Sequence, residues 1–174
     1  MPQPLEALES CALFNGLGRD GLMNLFEFVE SKSFVAGEAI LKQGLQYRSL
    51  WAVLRGRCEV VRDCGNGHDQ QLAVLEPGGI FGEMSFFQEA PHSATVRALT
   101  AVETVRITPA AFDKLKSTDS EAAFVIVSNL VRLLSDRLRR MDNWTCELVD
   151  NSADGRHHAE WQEFQSKLYT DWSF

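Results

Sequence analysis

The sequence predicts a mainly β domain, a sandwich or barrel of short strands with helices on either side. Between residues 33 and 108, short apolar segments alternate at even spacing with turns that contain glycine, a pattern typical of all-β sandwiches and barrels. Before and after this block, apolar residues instead recur at helical spacing. The length of 174 residues suits one domain with an appendage. We therefore divide the chain into an N-terminal helical cover (1–32), the β block (33–108), C-terminal helices (109–149) and a tail (150–174).

Composition narrows the classes of function. With 24 acidic and 17 basic residues, the formal net charge is −7, which argues against a nucleic-acid partner and against an anionic membrane surface. No apolar run reaches the roughly 20 residues that span a bilayer, and no signal peptide is evident. The four cysteines, Cys11, Cys58, Cys64 and Cys146, show no metal-ligand spacing. We expect a cytoplasmic protein with reduced thiols and no metal or other cofactor.

The N-terminal cover is predicted to contain two helices separated by a break near residues 15–18. The apolar repeat after Asp20 marks the second helix. In the β block that follows, most strands end at a glycine turn. The Asn66–Gly67 pair is a signal for a β-hairpin between two of these strands.

The long C-terminal helix is predicted to have two apolar faces. One face, which we call the seam, has the 3-4-3-4-3 spacing of a coiled coil: Phe124, Val127, Val131, Leu134, Leu138 and Met141. The other face carries Ile126, Leu130 and Leu133. We expect this second face to pack on the β block and the seam to pair with the same helix of a second subunit, which gives a homodimer. The alternative is that one fold covers both faces.

The tail is aromatic and follows a polar hinge. Trp161, Phe164 and Leu168 form a narrow apolar stripe, which either packs on the domain or its dimer or binds a protein partner. The adjacent His157 and His158 do not share a helix face. We interpret them as solvated side chains rather than metal ligands.

Residues 77–99 contain the clearest candidate for a ligand site. Gly82 permits a positive φ or a close approach to a ligand, and residues 83–87 are predicted to form a short helix. The backbone N–H groups at the start of such a helix form an anion site. Glu83 stands at that start, where a phosphate would repel it. We therefore interpret Glu83 as an acceptor for a sugar hydroxyl, the role that acidic residues have in dinucleotide folds.

This segment resembles the phosphate-binding cassette of the cyclic nucleotide-binding domain family, here residues 78–98. The family pattern is F-G-E-apolar-small-apolar and, after a spacer, P-R-S/T-A-T-V; this chain has FGEMSF and then PHSATV. The resemblance implies a jelly-roll-like β-barrel, or double-stranded β-helix, over the β block and a ligand such as cAMP or cGMP. The ligand-binding residues that it implies are Phe81, Gly82, Glu83, Met84, Ser85, His92, Ser93 and Ala94.

The resemblance also implies roles for these residues. Gly82 and Glu83 would meet the ribose 2′-hydroxyl, while the backbone of Met84 and Ser85 and the hydroxyl of Ser93 would meet the cyclic phosphate. The long helix often caps the purine in this family. The polar candidates on that helix are Asn129, Arg132 and Arg137.

One position departs from the family pattern: His92 stands where the family has the arginine that pairs with the phosphate. Arginine binds phosphate with two donors and a fixed charge, whereas histidine offers one donor and can be neutral. Losing a charge-assisted hydrogen bond of about 1.5–3 kcal/mol weakens binding roughly tenfold to a hundredfold or more. We expect Arg97, on the next strand, to point outward rather than to replace the missing arginine.

Two functions fit these residues. The first is a regulatory module that senses a cyclic nucleotide and signals through the long helix to a dimer or partner. The second is a degenerate scaffold for protein–protein interaction that has lost the ligand because of His92.

No nucleophile elbow, P-loop or paired-carboxylate motif is present, so we expect no enzyme. The residues after Met141 are too few for a helix-turn-helix, and they are aromatic and acidic, so we expect a stand-alone domain without a DNA-binding module.

Overall fold

The computed structural model describes residues 4–65 and 69–150. Three predictions fall outside these residues: the hairpin at Asn66–Gly67, the solvated pair His157 and His158, and the apolar stripe of the tail. The chain divides into two units, Met1–Leu130 and Val131–Phe174.

The strands of the described residues form two antiparallel four-stranded sheets. In chain order the strands are β1 (Glu30–Phe34), β2 (Ala39–Leu41), β3 (Leu50–Arg55), β4 (Cys58–Asp63), β5 (Asp69–Leu75), β6 (Ile80–Phe81), β7 (Thr95–Ala98) and β8 (Val102–Ile107). The first sheet has the order β1-β8-β3-β6 and the second the order β2-β7-β4-β5. The predicted mainly β fold with flanking helices is confirmed. The described strands pair as two sheets rather than as one closed barrel.

The interior of the domain lies between the two sheets. Strand register places Trp51 of β3 opposite both Phe81 of β6 and Arg106 of β8, so these three side chains share one face of the first sheet. Trp51 and Phe81 belong to a buried cluster drawn from both sheets. Its other members are Ile40, Leu41, Val53, Cys58, Val96, Ala98 and Val102. This interior borders the cassette.

Short helices precede the strands. They are α1 (Pro4–Glu9), a 3-10 turn (Ala12–Phe14) and α2 (Arg19–Leu25). Leu8 and Leu25 are fully buried, and α1 packs against β3. The first strand begins at Glu30, within the segment that the sequence assigned to the helical cover.

Three further helices complete the described residues. The helix α3 (Glu83–Phe87) lies in the cassette, and α4 (Pro109–Thr118) and α5 (Ser120–Asp150) follow the last strand. A carboxylate oxygen of Asp119 accepts a hydrogen bond of 2.9 Å from the backbone N–H of Ala122. This contact is an N-cap, which satisfies one of the free N–H groups in the first turn of α5.

The two apolar faces of α5 differ in burial. Ile126 and Leu130 are buried, while Leu133 and the seam residue Val127 are partly buried. The exposed members of the seam are Phe124, Val131, Leu134, Leu138 and Met141. The seam is therefore an exposed apolar surface of this chain, and the homodimer stays a prediction. Among the described helices, none combines the length and the apolar character that crossing a bilayer requires.

Candidate functional site

Gly82 sets the shape of the cassette. It joins β6 to α3 with a φ of 80° and a ψ of 1°, in the left-handed region that favours glycine. A Cβ atom at this position would collide with the carbonyl oxygen of Ser49 and would lie 3.2 Å from Cδ1 of Trp51. Glycine is therefore required for two reasons, the backbone conformation and the close approach of α3 to β3.

The residues of α3 point to different sides of the helix. Glu83 and Ser85 are buried, whereas Met84 is 67% exposed. Across from the helix, Ser93 is exposed and Ala94 is partly buried. The hydroxyl of Ser93 donates to the sulfur of Met84 at 3.9 Å. The predicted site residues thus form an inner group and an outer group.

His92 belongs to the inner group. It is only 6% exposed, and its Nδ1 lies 3.0 Å from the hydroxyl oxygen of Ser85. Its ring packs edge-on against Tyr47, with the ring centroids 4.5 Å apart. Its backbone N–H donates to the carbonyl of Leu45, and its carbonyl accepts from the N–H of Gly44. The sequence predicted that the backbone of Ser85 meets the phosphate, and the structure adds a side-chain bond between Ser85 and His92.

The protonation of His92 follows from this environment. Burial lowers the pKa of His92 from its ordinary value, and the nearby backbone carbonyl of Tyr47 partly opposes the shift. The neutral form of the ring therefore predominates at pH 7. Its Nε2 is buried and has no partner in ordinary hydrogen-bond geometry among the described residues. A neutral imidazole in this position offers a hydrogen bond but no charge.

Arg97 is bound on the outer face of the second sheet. Its Nε and Nη2 lie 2.7 Å and 2.6 Å from Oε1 of Glu59, directly across the β4–β7 pair. Gln71 donates to the other carboxylate oxygen of Glu59 at 3.1 Å. The prediction that Arg97 points outward is confirmed, and Arg97 does not take the place of the arginine that the cassette lacks.

Arg48 lies outside the cassette but contacts it, and sequence analysis missed this contact. Its Nε and Nη2 donate to the carbonyl oxygen of Phe86 at 2.9 Å and 2.7 Å. A cation at the carbonyl end of a helix is stabilising, so Arg48 holds the last turn of α3 in place. Its partner is distant in sequence, and no local pattern indicated the contact.

Trp51 is a second residue that sequence analysis missed. Its indole stacks on Phe81, with the ring centroids 5.9 Å apart and the planes 3° from parallel. Its Nε1 is buried and has no hydrogen-bond partner in the described part of the chain. In the sequence, Trp51 is one residue of an apolar run, which indicates only that it belongs to the core.

Asn129, one of the three polar residues predicted to cap the purine, forms hydrogen bonds within the first unit. It is buried, and its Nδ2 donates to the carbonyl oxygens of Leu13 at 3.1 Å and Asn15 at 2.6 Å. Asn129 therefore ties the start of α5 to the N-terminal 3-10 turn. The other two candidates, Arg132 and Arg137, lie in the second unit.

The sequence of the whole β block is similar to that of known proteins. The family model that matches is the cyclic nucleotide-binding domain, over residues 31–119. The CRP-like cAMP-activated global transcriptional regulator of Mycobacterium tuberculosis is 25% identical over 151 residues, which cover 87% of this chain and 66% of that protein. A cAMP-dependent protein kinase regulatory subunit of Blastocladiella emersonii is 25% identical over 108 residues, which cover 62% of this chain and 27% of that protein.

Solved structures agree with this similarity. The Thermus thermophilus catabolite activator protein has a TM-score of 0.70 at 28% identity, covering 79% of this chain and 62% of that chain. A cyclic nucleotide-binding domain from Methylobacillus flagellatus also has a TM-score of 0.70, at 24% identity, over 78% of this chain and 76% of that chain. Because its sequence identity is only 24%, the similarity to the Methylobacillus flagellatus domain supports the fold alone. This chain spans about two thirds of the mycobacterial regulator and about a quarter of the kinase subunit.

Proposed function

Because this chain belongs to the cyclic nucleotide-binding domain family, we propose that it is a non-catalytic regulatory module that binds cAMP or cGMP in its cassette. The observation that carries the proposal is the cassette around Gly82. A left-handed glycine is followed by a buried acid, Glu83, and the family pattern continues to Ser93. All three residues lie within the matched range 31–119.

The sugar and the phosphate of the ligand meet different groups in this proposal. The backbone at Gly82 and the carboxylate of Glu83 bind the ribose 2′-hydroxyl. The backbone N–H groups of Met84 and Ser85 and the exposed hydroxyl of Ser93 bind the cyclic phosphate. None of these groups carries a positive charge, so the donors that bind the phosphate anion are uncharged.

His92 makes this binding depend on pH. A bound phosphate favours the imidazolium and raises the pKa of His92 above its value in the ligand-free protein, which burial lowers. Ligand and proton therefore bind cooperatively. Affinity is highest below the ligand-free pKa and falls as the pH rises through the bound-state pKa. It levels off where the ring is neutral in both states.

Aromatic contacts support a route from the cassette to the C-terminal helices. Phe86 and Phe87 of α3 pack against Phe112 of α4, with centroid distances of 5.7 Å and 6.0 Å. Because α4 leads through Asp119 into α5, a shift of α3 on ligand binding moves the long helix. That helix carries the exposed seam, through which two copies of the chain form a homodimer.

Light scattering tests the homodimer. The expected mass is twice that of the 19.5 kDa chain, and Leu134→Asp is expected to give a monomer because it places a charge in an apolar seam. Arg140→Asp, at an exposed position of α5 outside the seam, is the matched control and should remain dimeric. A wild-type chain that stays monomeric at high micromolar concentration would contradict the dimer.

One observation favours the second function, a scaffold that has lost its ligand. The hydroxyl of Ser85 and the ring of His92 already satisfy each other, and Arg48 and Arg97 both bond to protein groups. In that case the fold serves protein contacts, and the cassette is closed by its own side chains.

Calorimetric titration with cAMP, cGMP and cyclic di-GMP separates the two functions. A regulatory module binds cAMP or cGMP, more tightly at pH 6 than at pH 8, and Glu83→Ala weakens that binding at a nearly unchanged melting temperature. A scaffold gives no binding heat at either pH. Tight binding without pH dependence would show that another residue holds the phosphate. A large stability loss in Glu83→Ala with unchanged affinity would make Glu83 structural.

A further inference from the structure

We infer that Trp51 is a ligand-binding residue, whose indole N–H donates a hydrogen bond to an oxygen at the sugar–phosphate end of the nucleotide. The inference rests on the proposed function and adds a contact that comes from β3 rather than from the cassette. Trp51 is then an uncharged hydrogen-bond donor in a site that has His92 in place of the arginine of the family pattern.

The N–H group of Trp51 is an exception among the buried polar groups of this chain. Buried side-chain nitrogen and oxygen atoms are nearly always hydrogen-bonded, yet Nε1 of Trp51 has no partner in the described residues, and Nε2 of His92 has none in ordinary hydrogen-bond geometry. Trp51 is only 6% exposed. An indole N–H is a donor only, so an acceptor must come to it. An unpaired buried donor is destabilising, and phenylalanine would avoid that penalty in an apolar cluster.

Both unpaired groups border the start of α3. The Trp51 atom nearest to a Cβ placed on Gly82 is Cδ1, at 3.2 Å, and Cδ1 is the ring carbon bonded to Nε1. The carbonyl of Gly82 accepts from the Ser85 hydroxyl at 3.3 Å, and Ser85 in turn bonds to His92 at 3.0 Å. A continuous series of contacts therefore joins Trp51 to His92 around the place proposed for the ribose and phosphate.

The neighbours of Trp51 hold the ring without using its N–H. Phe81 stacks on the indole and Phe34 meets it edge-on, each with a centroid distance of 5.9 Å. The guanidinium of Arg106 lies 5.6 Å from the ring centroid and is itself fixed by a 2.7 Å hydrogen bond to the hydroxyl of Ser49. None of these three neighbours of the ring is a hydrogen-bond acceptor in these contacts. They orient the indole in advance, which lowers the entropy lost on binding.

The position of Trp51 also predicts that its hydrogen bond does not distinguish cAMP from cGMP. Its pyrrole edge faces Gly82, which binds the ribose in the proposed function, and cAMP and cGMP share the ribose cyclic phosphate. The contact should therefore contribute equally to the binding of both nucleotides.

Trp51→Phe tests the inference because it removes the N–H and keeps an aromatic ring. In calorimetric titrations with cAMP and with cGMP, we expect the affinity to fall by about five- to tenfold, the effect of losing one net hydrogen bond. The matched control is Phe34→Leu, which disturbs packing against the same indole. It should lower the melting temperature and leave the affinity within about twofold of wild type.

The possible outcomes separate the inference from the proposed function. If wild type binds a nucleotide and Trp51→Phe binds it equally well, the inference is wrong and the proposed function stands. If wild type binds neither nucleotide, both are wrong. A loss confined to one nucleotide would put the N–H at the base and overturn the assignment to the sugar–phosphate end.

A second measurement on the wild-type chain covers the case in which Trp51→Phe does not fold. The chain has four tryptophans, so the indole N–H signal of Trp51 in a ¹⁵N spectrum can be assigned by replacing the other three in turn with phenylalanine. Addition of cAMP or cGMP should shift that signal. A Trp51 signal that stays in place while the nucleotide binds would overturn the inference.

Discussion

His92 and Arg97 are near neighbours in the sequence but lie in opposite environments. His92 is buried beside α3 and residues 44–47, where burial lowers its pKa and its ring bonds to Ser85. Arg97 lies on the outer face of β7, where its side chain is 39% exposed and is paired with Glu59. The buried residue, His92, thus offers an uncharged hydrogen-bonding group, whereas the surface residue, Arg97, carries a charge that Glu59 pairs. The buried position therefore holds no preformed cation, and in the proposed function it offers a ligand a hydrogen bond only.

The cost of burying charge explains this arrangement. A buried charge without a partner is strongly destabilising, so an arginine inside the cassette is stable only when an anion such as phosphate is bound. A neutral histidine avoids this penalty in the ligand-free protein. In the proposed function, the histidine that avoids this penalty in the ligand-free cassette also binds the phosphate more weakly than an arginine would.

The largest expected effect comes from Gly82→Ala, which tests how closely the interior is packed. The φ of 80° costs an alanine about 1–2 kcal/mol, and the collision with the Ser49 carbonyl adds about 1–3 kcal/mol. Gly44→Ala is the matched control, because Gly44 has the same φ of 80° and nothing within 4 Å of an added Cβ. Urea unfolding should show a clearly larger loss for Gly82→Ala. Equal losses in the free energy of unfolding would mean that the atoms around Gly82 move to make room for the added Cβ.

His92→Arg has the next largest effect, because it moves a fixed charge into the interior. Without ligand, the variant should be less stable than wild type, since the guanidinium lacks an anion. With cAMP or cGMP, affinity should rise about tenfold to a hundredfold, and the difference in affinity between pH 6 and pH 8 should disappear. Calorimetry at both pH values measures these changes. An affinity equal to that of wild type would show that position 92 does not reach the phosphate.

A smaller effect is expected on the stability of the ligand-free protein at acid pH. Burial lowers the pKa of His92 in the folded state, whereas the unfolded chain keeps the ordinary value of about 6.5. As the pH falls below that value, the unfolded state takes up a proton that the folded state does not. The free energy of unfolding therefore decreases, and this decrease ends below the folded-state pKa.

Thermal unfolding across this pH range, with His92→Gln as the control, isolates the contribution of the histidine. The variant has no group to titrate at this position, so it should lose less stability than wild type between pH 7 and pH 5. Parallel curves for the two proteins would contradict a neutral, buried His92.

The smallest effect is expected for Arg97→Gln. The pair with Glu59 is partly exposed, and such pairs contribute about 1 kcal/mol or less. Urea unfolding should show a loss of that size, which the double variant with Glu59→Gln should partly recover. Nucleotide affinity should not change. A tenfold loss of affinity would show that Arg97 does reach the ligand.

Much of the fold was predictable because it depends on neighbours in the sequence. Apolar segments separated by glycine turns predict strands, and helical spacing predicts α5. The order of residues from Phe81 to Ala94 likewise identifies the cassette. These features arise from local conformational preference and local burial, and each can be recognised within a short stretch of residues.

The long-range contacts of the cassette and of α5 could not be predicted in the same way, because they join residues from different elements. Arg48 and Phe86 are 38 residues apart, and Asn129 binds residues more than a hundred positions away. Which side chains meet depends on strand register and on which face of each sheet is covered, and neither is encoded locally. The lowered pKa of His92 and the unpaired N–H of Trp51 arise only in the folded chain, where residues distant in the sequence bury both side chains and remove the water that would otherwise solvate them.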